Sequence, residues 1–355
     1  MNGRIGIGGH AAFGPSQRGI RFLSAIVYHA SLNEAQEDAA LSHLLGREMQ
    51  RTPFDRLDWY ALLARECLDP AHCFLAAARD GNERAVLPVR QTAPGTLEPL
   101  GNWYSFFTRA RWTDHGAALL EGIARDLSRT HDRIVLSPLP EEDVAPLATA
   151  FRKAGWLAFA TPCDTNHILP VDGRSFAEYW ASRPGRLRET VRRKGKKGVV
   201  DLRIATAFNE TDWAAYETIY RLSWKPEEGS PAFLRRFADA EGAAGNLRLG
   251  IATIEGKPVA AQFWTVEGGT AFIHKLAHDE SAKAHSPGTL LTAALFEHVI
   301  DRDRVREVDF GTGDDPYKRD WMESTRTRWQ VALYRPLAPR RWPAIARALV
   351  RGLRT

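Results

Sequence analysis

The sequence predicts an α/β fold made of two similar halves, and three observations support this prediction. The chain has 355 residues, which is more than a single hydrophobic core usually serves, so two domains are expected. With 44% hydrophobic and 26% charged residues, the composition is that of a folded protein and not of a disordered one. The third observation is that one order of helices and strands occurs twice along the chain.

The first half begins with a helix and a β-hairpin. Apolar residues recur at helical spacing over 55–67, and 74–91 contains two strands separated by a turn at 80–82. The expected continuation is a helix near 114–129, a strand at 133–139, a helix near 143–154 and a strand at 156–171. This half is therefore expected to run helix, β-meander, helix, strand, helix, strand.

The second half has the same order. A helical stripe covers 212–222, and a hairpin covers 247–269 with its turn at 255–257. The expected continuation is a strand at 270–279, a helix from 287 to 302, a strand at 306–311, a short helix after Pro316 and a strand at 327–336. The halves share a pattern and not identical residues. We predict two related domains, each with a mixed, mostly antiparallel sheet flanked by helices.

The domain borders follow from this repeat. The predicted parts are a flexible lead at 1–30, an N-terminal domain at 31–172, a basic linker helix at 173–200, a C-terminal domain at 201–336 and a basic amphipathic tail at 337–355.

The positive charge of the chain is concentrated in two segments. Arg183–Gly198 (RPGRLRETVRRKGKKG) holds eight Arg and Lys and one acid, so its charge is +7, whereas the whole chain is +5. Residues 335–355 add six Arg and no acid. After Pro184 the only apolar pair is Leu187 and Val191, so the basic side chains are expected to face solvent or a ligand. Such concentrated charge indicates binding to phosphate, carboxylate or an anionic surface.

A second informative segment is 282–300 (AKAHSPGTLLTAALFEHVI). Ser286 suits a helix N-cap and Pro287 suits the first helical position. We expect the amides that follow to face an anion, helped by the helix dipole and a nearby cation. A capped core helix is an equally good interpretation of the segment alone, but its place directly after the strand FIHKLAHDE favours the anion site. The residues of this predicted site are Lys283, Ser286, Gly288, Thr289 and Leu290.

Taken in order, these motifs resemble a known enzyme family. The order of β-meander, strand, small-residue loop, helix and strand resembles the GNAT acyltransferase fold, and its duplication resembles the FemABX-like branch. RLRETVRRKGKKGVVDLRI resembles the basic linker helix and following strand of that branch, and GDDPYKRDW resembles its Gly-x-x-x-(Phe/Tyr)-Lys-x-x-(Trp/Phe) motif. With KLAHDE and SPGTLL, they resemble the CelD-like acetyltransferases of cellulose or exopolysaccharide synthesis.

The resemblance implies a donor and a loop that binds it. The donor is acetyl-CoA or another acyl-CoA in GNAT enzymes, aminoacyl-tRNA in FemABX enzymes, and no metal is expected. Lys283, Ser286 and Gly288 align with the pyrophosphate loop (Arg/Gln)-x-x-Gly-x-(Gly/Ala). Here Ser replaces a Gly, and Pro287 removes one amide. The C-terminal domain is expected to be catalytic and the N-terminal one a scaffold, because the first half lacks counterparts of SPGTLL and YKRDW.

The resemblance also implies catalytic residues. Lys318, after Tyr317, matches the motif lysine that stabilises charge on the transferring carbonyl, although a solvated lysine is the alternative. His278 and Asp279 end the strand where a GNAT base often lies. Asp309 either orients Lys318 or caps the loop that follows it, and the sequence does not favour one of these roles.

The acceptor is expected near the loop 223–231 (SWKPEEGSP), where paired acids beside an indole suit an amine or a sugar; a solvated proline loop is the alternative. Arg188 and Arg192, one helical turn apart, suit a diphosphate. The predicted substrate-binding residues are Arg188, Arg192, Trp224, Glu227, Glu228 and Lys275.

These observations predict a cytoplasmic N-acyltransferase that moves an acyl group from CoA to an amine of a small-molecule or nucleotide-linked acceptor, such as an amino-sugar envelope or exopolysaccharide precursor. An aminoacyl-tRNA-dependent transferase is the second hypothesis, and a non-catalytic nucleic-acid module is the third. The third ranks last because the basic segment lacks interleaved aromatic residues. The tail suits either weak docking at the inner membrane surface or capping of its own domain.

Overall fold

A computed structural model describes residues 25–223 and 225–352, and for the last two of these it describes the backbone alone. Most of the predicted lead, and Trp224, therefore lie outside the described residues. The strands of the first half are β1 (Ile26–Ala30), β2 (Cys73–Asp80), β3 (Glu83–Ala93), β4 (Thr96–Pro99), β5 (Arg111–Trp112), β6 (Arg133–Leu139) and β7 (Leu157–Pro170). Its helices are α1 (Leu32–Glu37), α2 (Ala39–Leu44), α3 (Leu57–Cys67), α4 (Leu119–Leu127) and α5 (Glu141–Lys153).

The second half repeats this order. Its strands are β8 (Asp201–Ala205), β9 (Leu247–Ile254), β10 (Lys257–Glu267), β11 (Thr270–His278), β12 (Glu307–Thr312) and β13 (Ser324–Tyr334). Its helices are α6 (Phe176–Ala181), α7 (Gly185–Gly195), α8 (Glu210–Leu222), α9 (Pro231–Ala243), α10 (Pro287–Glu297) and α11 (Trp342–Gly352). No helix in the described ranges is both long enough and apolar enough to cross a bilayer.

All the strands described belong to one sheet, in the order β1-β2-β3-β4-β6-β13-β7-β12-β11-β10-β9-β8, with β5 paired to β3. The order is symmetric about the β13–β7 pair, and each half gives its last strand to the other half. Pairing is antiparallel except for β4 with β6 and β11 with β12. The prediction of a mixed, mostly antiparallel α/β fold is confirmed. The domain borders stay a prediction, because the sheet is continuous through both halves.

The two halves also share a hydrophobic core. Trp59 of α3 contacts Phe233 and Phe237 of α9 edge to face, with ring centroids 5.1 and 4.9 Å apart. Beside them the buried guanidinium of Arg56 donates to Glu241 at 2.6 Å and to Glu267 at 2.7 Å. Aromatic packing and a paired buried charge therefore fix the first half against the second.

The segment predicted as a linker helix contains two helices. α6 begins at a capping box formed by Ser175 and Glu178, and it ends before Arg183. Pro184 separates α6 from α7. Proline has no N–H to donate and disfavours helical geometry in the residue before it, so the first helix cannot continue into the second. Leu187 is the buried residue of α7, and this helix packs beside α10. The basic segment thus lies against the helix of the predicted anion site.

Candidate active site

A cavity opens where β11 and β12 diverge. The two strands pair in parallel only from Thr270 to Phe272, opposite Glu307 to Asp309. Beyond Phe272 the other edge of β11 stays paired with β10 as far as His278, while its β12 edge pairs with no strand in the described part of the chain. The cavity has a volume of about 410 Å³. An extended ligand that carries amide groups could pair with this open strand edge.

The first turn of α10 forms one wall of the cavity. Gly288 and Thr289 line it, and within the described residues their amides donate no hydrogen bond. The amide of Leu290 donates to the Ser286 carbonyl at 3.1 Å, so the prediction that it is available to an anion is wrong. Two amides, and not three, are therefore open to an anion at the positive end of the helix dipole.

Ser286 does not cap α10 as predicted. Its backbone is left-handed, with φ 55°, and its side chain accepts no capping hydrogen bond. The reason is the preceding 3-10 helix, Glu280–His285, whose last turn closes when the Ser286 amide donates to the Lys283 carbonyl. Pro287 occupies the first helical position, as predicted. The sharp turn at Ser286 is what brings the start of α10 into the cavity.

Gln262 of β10 anchors this turn from inside the protein. Its side-chain amide donates to the Gly288 carbonyl at 3.1 Å and to the Thr292 hydroxyl at 2.7 Å. Its carbonyl oxygen accepts from the Trp264 indole at 3.1 Å. The Gln262 side chain is buried and lines the cavity, so it fixes the start of α10 relative to the sheet.

The basic helix α7 runs along the rim. Leu187 lines the cavity, and the Lys194 ammonium donates to the Ala284 carbonyl just before the turn. Arg186 binds the carboxylate of Asp320, another lining residue, at 2.8 and 2.9 Å. The predicted pair is elsewhere, and both of its members have local partners. Arg188 donates to the Arg183 carbonyl at 3.0 Å, and Arg192 donates to Glu189 at 2.7 and 2.8 Å.

His278 and Asp279 lie at the end of β11, but only His278 lines the cavity. Its Nε2 is 3.0 Å from a Glu280 oxygen, and partial burial lowers the pKa of the imidazole, which favours its neutral form. Its Nδ1 is on the side of α10, where a Cβ at Gly288 would be 3.6 Å away. Asp279 instead accepts the Ser281 amide at 2.8 Å and caps the 3-10 helix. Lys283 lines the cavity from that helix.

Tyr317 lines the cavity, whereas Lys318 does not. The Lys318 side chain is buried, and its ammonium donates to the carbonyls of Thr312 at 2.5 Å and Gly313 at 3.0 Å. Burial lowers the pKa of this ammonium, and the carboxylate of Asp315 opposes that shift. Lys318 therefore fastens the loop after β12 to the short 3-10 helix Pro316–Asp320.

Asp309 is buried in the centre of the sheet. Its carboxylate accepts hydrogen bonds from Asn166 at 2.7 Å, the Gly311 amide at 2.8 Å and Arg326 at 2.9 Å. Of its two predicted roles, the geometry matches the capping of the following loop. None of these contacts joins Asp309 to Lys318 directly.

A second cavity, of about 690 Å³, lies between α8 and α9. Tyr216 and Tyr220 of α8 line it together with Glu217 and the exposed Glu227. Glu228 also lines it, but its carboxylate is engaged by the ammonium of Lys275 at 2.9 Å. Aromatic rings and carboxylates are the groups that a cationic amine needs in a binding site.

Lys275 and Glu228 form a network with Tyr104 of the first half. The Tyr104 hydroxyl donates to Glu228 at 2.5 Å and accepts the Ser230 amide at 2.9 Å. The Lys275 ammonium also lies over the Tyr104 ring, 4.9 Å from its centroid. The N-terminal half therefore holds the loop that carries the predicted acceptor residues.

Lys225 is a residue of the site that the sequence did not predict. It lines both cavities, and among the described residues no other one belongs to both linings. Burial lowers the pKa of its amine to about 8, and the charge of Lys275 acts in the same direction. The available signal was its place in the loop between α8 and α9, but nothing local indicates its burial.

One family of proteins and several solved structures are similar to this chain. Residues 181–319 match the family described as acetyltransferase (GNAT) domain. FemX is similar in fold, at 10% identity and a TM-score of 0.57 over 86% of this chain and 96% of that one. The C-terminal domain of a putative lysylphosphatidylglycerol synthetase from Agrobacterium fabrum is also similar in fold. Its identity is 11% and its TM-score 0.55, over 85% of this chain and 92% of that one.

A third solved structure, a conserved protein of unknown function from Bacteroides thetaiotaomicron, has 11% identity and a TM-score of 0.56 over 87% of this chain and all of that one. No curated protein matches the chain. At these identities the solved structures establish the fold alone. In the described part of the chain, no group of three or more His, Cys, Asp and Glu could hold a metal ion.

Proposed function

We propose that this acyltransferase, whose residues 181–319 match a GNAT acetyltransferase domain, moves an acyl group from acyl-CoA to an amine. The observation that carries the proposal is the shape of the first cavity, which has an open strand edge along one wall and open helix amides at one end. CoA offers the complementary groups, because its pantetheine arm carries amides and its pyrophosphate is an anion.

In this proposal the pyrophosphate binds the amides of Gly288 and Thr289, with Lys283 as the neighbouring cation. The pantetheine arm pairs with the open edge of β11 and directs the thioester toward Lys225. Arg186 of α7 binds the lining residue Asp320 and thus lies at the rim, where its charge favours the remaining phosphate of CoA.

The acceptor amine is proposed to enter through the second cavity and to meet the thioester beside Lys225. The amine nitrogen attacks the thioester carbonyl and forms the C–N bond, and collapse of the tetrahedral intermediate breaks the C–S bond and releases CoA thiolate. The amine must lose a proton during this sequence, and the thiolate takes one up. Lys225 is the proton acceptor that we favour, because it borders both cavities and its pKa of about 8 leaves a neutral fraction near physiological pH.

We propose that His278 and Lys318 hold parts of the site in position and do not take up the proton of the acceptor amine. His278 packs beside the start of α10, close to the proposed pyrophosphate, and the carboxylate of Asp279 is occupied as a cap. Lys318 holds the loop that precedes Tyr317. Its alternative role, stabilising the oxyanion as the family resemblance implies, requires the third N–H of the ammonium to reach the reacting carbonyl, although Lys318 does not line the first cavity.

The acceptor class proposed is an amino sugar, such as an envelope or exopolysaccharide precursor. Support comes from the lining of the second cavity, where tyrosine rings accompany Glu217 and Glu227. Aromatic faces pack on sugar rings, and a carboxylate attracts an ammonium. A cytoplasmic location is proposed together with the donor, which is an intracellular metabolite.

A second candidate donor is aminoacyl-tRNA. The observation that favours it is the exposed basic surface of α7 beside the cavity, which could bind an RNA backbone. The likeness to FemX concerns the fold and does not choose between the donors. A nucleic-acid module without catalysis is set aside, because the protein is an acyltransferase.

A transfer assay distinguishes the two donors. The purified protein is incubated with acetyl-CoA or with charged tRNA in the presence of a panel of amino sugars, and the products are identified by mass spectrometry. The proposal predicts N-acetylated amino sugars with acetyl-CoA. Products formed with charged tRNA alone would instead support the second candidate.

A further inference from the structure

We infer that the C-terminal helix α11 docks the protein on an anionic phospholipid surface, with a lipid phosphate held in an arginine-lined cavity beneath the helix. The inference stands apart from the acyl transfer proposed above, because the cavity beneath α11 shares no lining residue with either cavity of the candidate active site.

One face of α11 packs on the protein and another remains uncovered. Ile345 is buried against Ala332 and Tyr334 of β13, and Val135 and Phe159 of the first half pack against the same cluster, so this inner face covers the strands beneath it. Large apolar side chains are exposed here: Trp342 is 59% exposed, Leu349 53% and Val350 50%, and Leu337 just before the helix is 84% exposed. Capping explains the inner face and leaves the outer one without a function.

The indole of Trp342 is held in place at this surface. Its Nε1 donates to the Pro336 carbonyl at 2.9 Å, so the polar edge of the ring is satisfied by the protein while the ring remains exposed. Tryptophan is enriched where hydrocarbon meets headgroups because it combines an apolar body with a polar edge. The exposed face of α11 therefore has the chemistry of a membrane interface and not only an excess of apolar area.

A cavity of about 370 Å³ lies between α11 and the strands beneath it. Four arginines line it, and its lining contains no acid: Arg133, Arg340, Arg341 and Arg347. Behind them Asp132 accepts from Arg340 at 2.5 Å and from Arg341 at 2.8 Å. Within residues 25–352, no carboxylate lies within ion-pair distance of Arg133 or Arg347. One carboxylate thus offsets part of the charge of two guanidinium groups, and the other two add positive charge to the cavity, which suits a phosphate.

Charge decides which occupant fits the apolar face. Arg347 belongs to the same helix as the exposed apolar residues, so a single ligand that fills both features must combine an anionic phosphate with a hydrocarbon phase. An anionic phospholipid has this combination. A second copy of the chain would bring the same arginines to the contact, which is unfavourable by like-charge repulsion.

The test is sedimentation of the full chain with vesicles of phosphatidylcholine, alone or mixed with phosphatidylglycerol. We expect binding only when phosphatidylglycerol is present, and weaker binding at raised salt. Trp342→Glu with Leu349→Glu should lower vesicle affinity by at least about tenfold. Arg133→Gln with Arg347→Gln should lower it by about 25-fold, since each cation near an anionic surface contributes about fivefold.

Two exposed sites away from α11 provide matched controls, Leu202→Glu and Arg65→Gln, and neither should change vesicle binding. Three results would overturn the inference. They are a failure to bind phosphatidylglycerol vesicles, equally strong binding to vesicles of phosphatidylcholine alone, and binding that is unchanged by the substitutions at Trp342, Leu349, Arg347 and Arg133. Self-association lost in Trp342→Glu, or binding of inorganic phosphate without any vesicle binding, would also overturn it and assign the surface to a second copy or to a free anion.

Discussion

The substitution Gly288→Ala is expected to weaken the binding of CoA without lowering the stability of the fold. A Cβ at this position would lie 3.6 Å from His278 Nδ1 and 3.7 Å from its Cβ, which are ordinary van der Waals contacts. The backbone of Gly288 lies in a right-handed helix, so alanine introduces no strain. The thermal midpoint is therefore expected to stay the same or to rise slightly.

The same methyl group would project into the cavity, because Gly288 is one of its lining residues. If the pyrophosphate rests on the Gly288 and Thr289 amides, the methyl displaces it from at least one of them. A hydrogen bond to a charged group contributes about 1.5–3 kcal/mol, so the dissociation constant for CoA should rise about 10- to 150-fold.

The assay is isothermal titration of wild type and variant with acetyl-CoA, paired with thermal denaturation of each. Gly195→Ala is the matched control, since it makes the same change in the neighbouring helix α7, where the nearest atom, Leu290 Cδ2, would be 4.0 Å away. It should bind acetyl-CoA like wild type. If Gly288→Ala also keeps wild-type affinity, the pyrophosphate does not bind at this helix start and the reasoning is refuted.

Three other substitutions test the remaining parts of the site. Lys225→Gln should abolish the rise of kcat/KM with pH that deprotonation of an amine with a pKa of about 8 produces, and identical profiles for wild type and variant would exclude Lys225 as the base. Lys275→Met leaves the buried Glu228 carboxylate without its cation, so the free energy of unfolding should fall by about 3 kcal/mol, and Glu228→Gln added to it should restore part of the loss in thermal denaturation. Lys318→Met should lower the thermal midpoint and acetyl-CoA affinity together, because the loop carbonyls lose their donor; a fall in kcat alone would indicate contact with the reacting carbonyl.

Local sequence patterns predicted where the helices and strands lie better than they predicted which strands pair with each other. Alternation and helical spacing located β6, β10 and β11, and Pro287 located the start of α10. The exchange of β7 and β13 between the halves could not be predicted, since a strand has the same periodicity whichever neighbour it pairs with. Pro184 does signal the break before α7, although the segment was interpreted as one helical linker.

The candidate site shows the same division. The motif SPGTLL contains its own signals, so the sequence indicated the start of α10. With Ser286 at the N-cap position, the Leu290 amide makes the first hydrogen bond of the helix, to the Ser286 carbonyl, whereas the left-handed backbone of Ser286 depends on the 3-10 helix before it. Lys225 was missed because its burial and lowered pKa come from residues distant in the chain, including Lys275. The basic residues of α7 were found by composition, whereas which of them reaches the cavity depends on how α7 packs on α10.

The most direct test of the central claim is hydrogen–deuterium exchange, followed by mass spectrometry, with and without acetyl-CoA. The proposed binding mode predicts that acetyl-CoA protects peptides covering the open edge of β11 at 273–278 and the start of α10 at 286–291. It predicts no protection of the β2–β3 hairpin, whose strands are already paired. Unchanged exchange at both β11 and α10 under saturating acetyl-CoA, or protection of these peptides by charged tRNA alone, would contradict the account.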